Sequence, residues 1–306
     1  MNILITGALG HIGSGLIKRI SKIKNLKKVY LVDNASSNNL NVLFNLKYKK
    51  IKLKFIKGDL LNDSILSSIR EKIDVVIHLA SITNAEGSFK IKKFMYKNNF
   101  GIFKKICKFC EKKKSKLIHL SSTSIYGTQS KLVDEDCKFL KPQSPYAEIK
   151  YLEEKYLKKQ KINFVTLRLG TITGVSKGMR FHTAVNKFCL NTVLGESLPI
   201  WNNAMHQYRP YLSLNDALNA FFFVINSNTF NNETYNILTK NYTVAEILKI
   251  IKKFKYIPKI KKVHSPILNQ NSYKVKREKI NKLGLRFSKG IDKDIKNTLD
   301  IIKSFY

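Results

Sequence analysis

The chain has 306 residues, 43% of them hydrophobic, which excludes a disordered chain and is enough for a sizeable core without disulfide or metal staples. Its 56 basic residues outnumber 21 acidic ones for a net charge of +35, yet 49 of the 56 are lysines spread along the chain. That pattern reads as solvated lysine-rich faces, because dedicated nucleic-acid surfaces concentrate arginine; the charge still favours capture of phosphate-bearing ligands.

Taken in order, the first half alternates short apolar runs with helix-like segments. NILIT (2–6) reads as a strand and 12–23 as a helix. KVYLVD (28–33) and KLKFIKGD (52–59) carry the second and third strands, and a short helix follows Asn62. DVVIHLA (74–80) is the fourth strand, a long lysine-rich helix covers about 91–113, and KLIHLSS (116–122) is the fifth strand. A helix over about 144–159 leads into NFVTLRLG (163–170), the sixth strand. Near-continuous Val/Ile/Leu strands separated by helices predict a doubly wound parallel sheet of Rossmann type, buried on both faces. Ligands on such sheets sit at the carboxyl ends of the strands.

After residue 170 the alternation weakens. Helices are expected near 181–194, 214–226, 243–254 and 291–303, with short strands at RPYLSL (209–214) and TYNIL (234–238). No linker separates the halves. The expected division is a dinucleotide-binding domain over 1–170, with a return segment near 208–236, and a smaller, interleaved α/β substrate lobe over 171–306. The chain opens directly into a strand, so no signal peptide is expected. No apolar run is long enough to span a membrane, and a cytoplasmic protein is expected. Cys107 and Cys110 form a C-x-x-C inside a helix-like stretch with no second pair; they read as reduced helix cysteines, and no metal site is expected.

TGALGHIG (6–13) places Gly7, Gly10 and Gly13 between the first strand and the first helix. The first glycine permits a tight turn, the second admits a pyrophosphate to the backbone, and the third allows close helix–strand packing. The helix N-terminus offers N–H groups and a partial positive charge to the anion. Asp33 ends the second strand, where a carboxylate accepts from ribose hydroxyls and repels a 2′-phosphate, which favours NAD over NADP. Asn34 beside it is a turn former. Asp59 reads either as an adenine neighbour or as a helix N-cap. Tyr146-x-x-x-Lys150 puts a phenol and an ammonium on one helical face, and the cation lowers the cost of the phenolate. Ser122, ending the fifth strand, is positioned to donate to a substrate oxygen.

Together these segments resemble the extended short-chain dehydrogenase/reductase superfamily, in its branch of nucleotide-sugar epimerases and dehydratases (UDP-glucose 4-epimerase-like). The resemblance rests on TGALGHIG (6–13), LVDN (31–34), GDL (58–60), HLAS (78–81), SSTSIYG (121–127), Tyr146-x-x-x-Lys150, RLGTITG (168–174) and RPYLSLNDA (209–217), in the family order over essentially the whole chain. It implies that Gly7, Gly10, His11, Ile12 and Gly13 cradle the NAD pyrophosphate. Asp33 and Asn34 would hold the ribose, Asp59 and Leu60 the adenine, and Leu79, Ala80, Ser81 and Asn98 the rest of the cofactor groove. Ser122, Tyr146 and Lys150 would form the catalytic set. Thr171, Arg180 and Arg209 would meet the substrate, the arginines gripping its diphosphate through their planar forks.

Departures from the family pattern sharpen the expectation. The superfamily's 4,6-dehydratases carry an Asp-Glu pair directly after the catalytic Ser/Thr, and the related decarboxylases a Glu two residues after it. Here Thr123 and Ser124 stand there, and neither supplies the acid and base that elimination needs. Thr171 replaces a frequent Asn, Val175 a frequent Pro, and Pro210 the usual acidic residue, changes that bear on substrate identity. The expected function is an NAD-dependent nucleotide-sugar epimerase, acting at C4 through a transient keto-sugar. Two alternatives stand: a net sugar dehydrogenase or reductase of the same superfamily, and a basic nucleic-acid- or membrane-surface-binding protein on a dinucleotide fold. The expected partners are a nucleotide-diphosphate sugar and a second copy of the chain, paired through helices like 91–113 and 146–159, with no specific nucleic acid.

Overall fold

The computed structural model describes residues 1–83, 87–263 and 272–306. Its centre is a seven-stranded sheet in the order β10-β6-β5-β4-β1-β2-β3, with every pairing parallel. The strands are β1 (Asn2–Thr6), β2 (Lys28–Asp33), β3 (Lys52–Lys57), β4 (Val75–His78), β5 (Lys116–Ser122), β6 (Phe164–Leu169) and, after three further strands, β10 (Thr234–Ile237). Beyond β6 the chain forms β7 (Thr171–Thr173), β8 (Ser197–Trp201) and β9 (Arg209–Ser213), and after β10 come β11 (Lys240–Tyr242) and β12 (Lys259–Val263). β11, β9 and β7 make a three-stranded sheet, and β12 pairs with β8.

Among the described residues ten α-helices accompany them: α1 (His11–Lys18), α2 (Asp63–Ser67), α3 (Lys92–Met95), α4 (Gly101–Lys113), α5 (Pro145–Leu157), α6 (Ala184–Val193), α7 (Leu214–Asn226), α8 (Val244–Lys253), α9 (Glu278–Lys282) and α10 (Asp292–Lys303). Side chains alternate across the sheet as a β-strand requires. Ile3 and Ile5 face the layer of α1 and α7, while Leu4, Tyr30 and Val32 face Ile102, Phe103 and Ile106 of α4 and Leu157 of α5. Gly15 keeps α1 and α7 close, since a Cβ there would lie 3.2 Å from Leu214 and 3.3 Å from Leu218. A separate core of Val185, Phe188, Leu198, Ile247, Ile251, Ile295 and Leu299 holds α6, α8 and α10 together.

The doubly wound parallel sheet expected from the sequence is present. β1 is flanked by β2 and β4, so the winding reverses there, and the crevice beyond the carboxyl ends of β1 and β4 is the switch point where such sheets bind ligands. Two expected elements differ in detail. The helix expected over 12–23 stops at Lys18, followed by a 3₁₀ turn over Ile20–Lys22. The helix expected over 91–113 is broken into α3, a π-helical turn over Tyr96–Phe100, and α4. Cys107 and Cys110 lie buried in α4, where burial pushes the Cys107 thiol up to about 12, so it stays protonated and apolar in character. No helix among the described residues is long and apolar enough to cross a membrane.

Candidate active site

Backbone proximity forces the glycine loop. Gly7 has φ +67°, and a Cβ there would lie 2.6 Å from the Ala80 nitrogen and 2.7 Å from the Leu79 carbonyl carbon. A Cβ at Gly13 would lie 2.5 Å from the Ala8 carbonyl oxygen and 2.6 Å from that of Gly7. Leu79, Ala80 and Ser81, which follow β4, therefore abut the start of α1. Gly10 is the N-cap of α1 with no side chain capping it, and Ile12 is half-buried one residue into the helix. His11 is buried and its Nε2 bonds the Gly174 carbonyl oxygen at 2.7 Å. Burial pushes its pKa down to about 4, so the ring is neutral at pH 7.

The Asp33 carboxylate accepts from the Leu9 N–H at 3.0 Å and the Ala35 N–H at 2.8 Å, fixing the loop against the end of β2. Asn34 is exposed and accepts from the Ser36 N–H. Asp59, exposed, accepts from the Leu61 N–H at 2.8 Å, and Leu60 is buried. The cap of α2 is Asn62, which accepts from the Ser64 N–H, so Asp59 is not that helix's N-cap. Asn98 is half-buried and donates to Asn99. It is Asn99 that meets the loop after β4, accepting from the Ile82 N–H and donating to the Ile82 carbonyl oxygen, both at 2.9 Å. An uncapped helix start reached through side-chain-free backbone, with a carboxylate at the end of the second strand, fits a dinucleotide: N–H groups for pyrophosphate, an acceptor for ribose hydroxyls. His11 and Ile12 supply backbone to this cradle.

At the carboxyl end of β5 the catalytic candidates come together. Ser122 opens a 3₁₀ turn over Thr123–Tyr126, and its hydroxyl oxygen accepts from the Ser124 N–H at 3.2 Å and the Ser124 hydroxyl at 2.9 Å. Ser144 caps α5 through the Ala147 N–H with Pro145 at the first helical position, which starts α5 one residue before Tyr146. The Tyr146 phenol lies close enough to Ser122 to feel its hydroxyl, and the Lys150 ammonium lies 5.9 Å from the centre of the Tyr146 ring. The Tyr146 phenol nevertheless titrates above its ordinary value, because burial outweighs the pull of Lys150. The sequence expectation of a lowered phenol counted the cation and missed the burial.

A second reason lies behind Lys150. Its Nζ donates to Glu153 Oε2 at 2.8 Å, and His119 Nε2 meets the same oxygen at 3.1 Å. A carboxylate only accepts, so that nitrogen carries the hydrogen and Thr166 Oγ1 donates to Nδ1 at 3.2 Å. Burial works against the Lys150 charge, but the Glu153 carboxylate overrides it and keeps the ammonium protonated. Burial likewise works against Glu153, and Lys150 with His119 hold it ionised. The neighbouring Glu154 makes a two-point pair with Arg168, at 2.7 and 3.0 Å, tying α5 to β6.

The remaining substrate candidates come from the lobe after Gly170. Thr171 starts β7, and Arg209 starts β9, half-buried, its charge felt by Tyr211 and Tyr273. The Tyr273 hydroxyl is 3.4 Å from Thr123 Oγ1, one residue past Ser122. Arg180 instead donates from Nη1 to Thr83 Oγ1 at 2.9 Å, beside the glycine loop. Among the described residues no cluster of three His, Cys, Asp or Glu side chains has metal-binding geometry.

Known proteins share this fold. Residues 3–237 match the model of the NAD dependent epimerase/dehydratase family. The chain is 31% identical over 261 residues, 78% of its length, to a dTDP-D-glucose 4,6-dehydratase of Dictyostelium discoideum, covering 58% of that protein. It is 29% identical over 98% of its length to the trifunctional UDP-glucose 4,6-dehydratase/UDP-4-keto-6-deoxy-D-glucose 3,5-epimerase/UDP-4-keto-L-rhamnose-reductase RHM1 of Arabidopsis thaliana, covering 46% of it. The chain thus spans about half the length of these two relatives. Among solved structures, UDP-glucuronic acid 4-epimerase from Bacillus cereus, in complex with UDP-glucuronic acid and NAD, superposes with a TM-score of 0.89 over the whole of both chains at 25% identity. The fold is therefore the Rossmann-like sheet of an NAD-dependent enzyme class. The chain belongs to the NAD dependent epimerase/dehydratase family.

Sequence reasoning passed over Glu153, His119, Asn99, Thr83 and Tyr273. Glu153 had a signal, since Tyr146, Lys150 and Glu153 follow the i, i+4, i+7 spacing of one helix face. Asn99 had none, because the π-helical turn that aims it inward leaves no mark in the hydrophobic pattern. The sequence places substrate specificity in second-lobe loops around 171–210 and 255–275, and of these residues 264–271 lie outside the described residues.

Proposed function

We propose that the chain is a nucleotide-sugar 4-epimerase that oxidises the sugar at C4 and reduces the resulting ketone from its opposite face. The observation that carries this reading is the convergence of Ser122, at the end of β5, with Tyr146 and Lys150 on α5: the Tyr146 phenol feels both the Ser122 hydroxyl and the Lys150 ammonium, which lies 5.9 Å from the centre of its ring. Tyr146 takes the proton from the C4 hydroxyl as the base, and Lys150 stabilises the phenolate. Ser122 donates to the same sugar oxygen as charge develops on it. NAD, when bound, accepts the hydride and gives it back. The Gly7–Gly13 loop and Asp33 hold that cofactor, and the lobe after Gly170 holds the nucleotide, with Arg209 as the phosphate ligand.

Relatives that are dehydratases share the fold, so the distinction rests on the residues after Ser122. Elimination of water needs an acid and a base beside the sugar. Thr123 is engaged with the Leu169 carbonyl oxygen and Tyr273, and Ser124 donates to Ser122. Neither carries a carboxylate. The test is incubation of the purified protein with UDP- and dTDP-hexoses and hexuronic acids, followed by resolution of C4 epimers, with Tyr146→Phe as control. Epimer formation that Tyr146→Phe abolishes supports the reading, and a dehydrated keto-sugar product refutes it.

We also propose a homodimer. Phe94, on α3, is 60% exposed and Leu152, on the adjoining α5, is 36% exposed, an apolar face suited to the same face of a second copy. Sedimentation of the wild type as a dimer and of Phe94→Glu as a monomer is the expected result.

A further inference from the structure

The segment after β7 is stapled to the start of α1 at several points. His11 Nε2 bonds the Gly174 carbonyl oxygen at 2.7 Å, and the Ser176 hydroxyl donates to the His11 carbonyl oxygen at 2.9 Å. The Gly178 N–H donates to Ser14 Oγ at 3.0 Å. Gly178 is pressed onto the glycine loop so closely that a Cβ there would lie 2.3 Å from the Leu9 carbonyl oxygen and 2.5 Å from that of Gly10. Two residues on, the Arg180 carbonyl oxygen accepts from the amide of fully buried Asn186 at 3.0 Å. The backbone that carries Arg180 is thus held from both sides.

Its side chain crosses the crevice. One end of the guanidinium donates to Thr83 Oγ1, in the loop after β4, and the other lies 3.9 Å from where a Cβ on Gly10 would be. Among the described residues no carboxylate lies within ion-pair distance of Arg180, so a half-buried cation rests on a neutral hydroxyl over a helix start that favours anions. The expectation from sequence gave Arg180 to the diphosphate of the substrate. The structure sets its guanidinium against the glycine loop and Thr83, with its charge also reaching Tyr146.

We propose that Arg180 is a ligand of the NAD pyrophosphate, a strap over the glycine loop that supplies the charge the loop itself lacks, while the substrate diphosphate is left to Arg209. The proposal rests on the assignment of the glycine loop to NAD and is independent of which sugar is turned over. Gly174–Arg180 then acts as a rigid cover, and the bond from Arg180 to Thr83 closes it. A cofactor held from above by a planar, permanently charged fork leaves slowly, which suits an enzyme that regenerates its NAD within each turnover.

The test compares wild type, Arg180→Met and Arg180→Lys, with folding checked by circular dichroism and thermal melting. Two probes are titrated: NAD onto cofactor-stripped protein, and UDP onto the NAD-loaded protein. NAD retained through gel filtration is measured as well. The expected result is that Arg180→Met loses NAD on the column and binds it about 10- to 100-fold more weakly, the worth of one charge-assisted hydrogen-bond pair, while UDP affinity stays at the wild-type level. Arg180→Lys recovers part of the NAD affinity. Unchanged NAD affinity with weakened UDP binding would return Arg180 to the substrate and overturn the proposal. Equal loss of both affinities would mean collapse of the cover and overturn it too. A wild-type protein that binds UDP but no NAD would instead bring down the cofactor assignment beneath it.

Discussion

Lys150 Nζ is 2.8 Å from Glu153 Oε2, and both side chains are almost completely buried. The cation that stabilises the Tyr146 phenolate is therefore shared with a carboxylate on the next turn of the same helix. Glu153 also raises the phenol directly, and burial raises it further. Five charged or titratable groups face Glu153: Lys150 and Tyr146 on α5, His119 on β5, Cys107 on α4 and, at longer range, His78 on β4. Glu153→Gln removes the opposing charge and keeps the shape. The Tyr146 phenolate then forms more readily, and the acidic limb of the kcat/KM profile moves to lower pH. A merely structural Glu153 would change the amplitude of that profile and leave its position where it was. Glu153→Ala strands a buried ammonium and costs about 3–5 kcal/mol of stability, read from denaturant unfolding.

Two buried histidines predict the acid response of the fold. Burial holds His11 at about 4 and His78 at about 3, against 6.5 for a free imidazole. The unfolded chain takes up these protons first, so the stability that neutral rings contribute is complete above pH 6.5 and falls away as pH drops toward the folded values. Each ring contributes a slope of about 1.4 kcal/mol per pH unit across that window. Urea unfolding at pH 7 and pH 5 should differ by about 2 kcal/mol for each histidine. His11→Gln should flatten the curve, because its amide needs no proton to stay uncharged.

Asp33 offers a prediction about cofactor choice. Its carboxylate is anchored by two backbone N–H groups and lies half-buried at the end of β2. Removing its acceptor oxygens in Asp33→Ala should weaken NAD by about 10-fold or more, the worth of a hydrogen bond to a charged group. The same change removes the repulsion of a 2′-phosphate, so the ratio of NADP to NAD affinity should rise. Fluorescence titration with both dinucleotides measures it. Asp33→Asn, which keeps the shape without the charge, should raise the ratio with less loss of NAD.

What could be read from the sequence and what could not follow from one physical difference. β1, β2, β4, β5 and β6 are largely apolar runs because both faces of the sheet are covered there, and such runs stand out, while the edge strand β3, KLKFIK, alternates lysine with apolar residues. β8 and β12 pair at the surface, and KIKKV in β12 is largely exposed lysine, so its pattern matches a solvated coil as well as a strand. The break at Tyr96–Phe100 was invisible because α3 and α4 on either side keep a helical period. Tyr146, Lys150 and Ser122 were legible through spacing and strand position. Their energetics were not, since burial and the Glu153 carboxylate are properties of the fold. The sequence suggested Arg180 as a phosphate ligand, but its place beside Thr83 and Gly10 is a property of the fold.

The most direct measurement uses a nucleotide hexose deuterated at C4, incubated with the NAD-loaded protein, with product position and isotope content read by NMR and mass spectrometry. The account predicts the C4 epimer with deuterium still at C4, and no net accumulation of reduced cofactor, because the hydride removed is the hydride returned. Loss of water from the sugar with departure of deuterium from C4, or steady build-up of reduced cofactor, would contradict it.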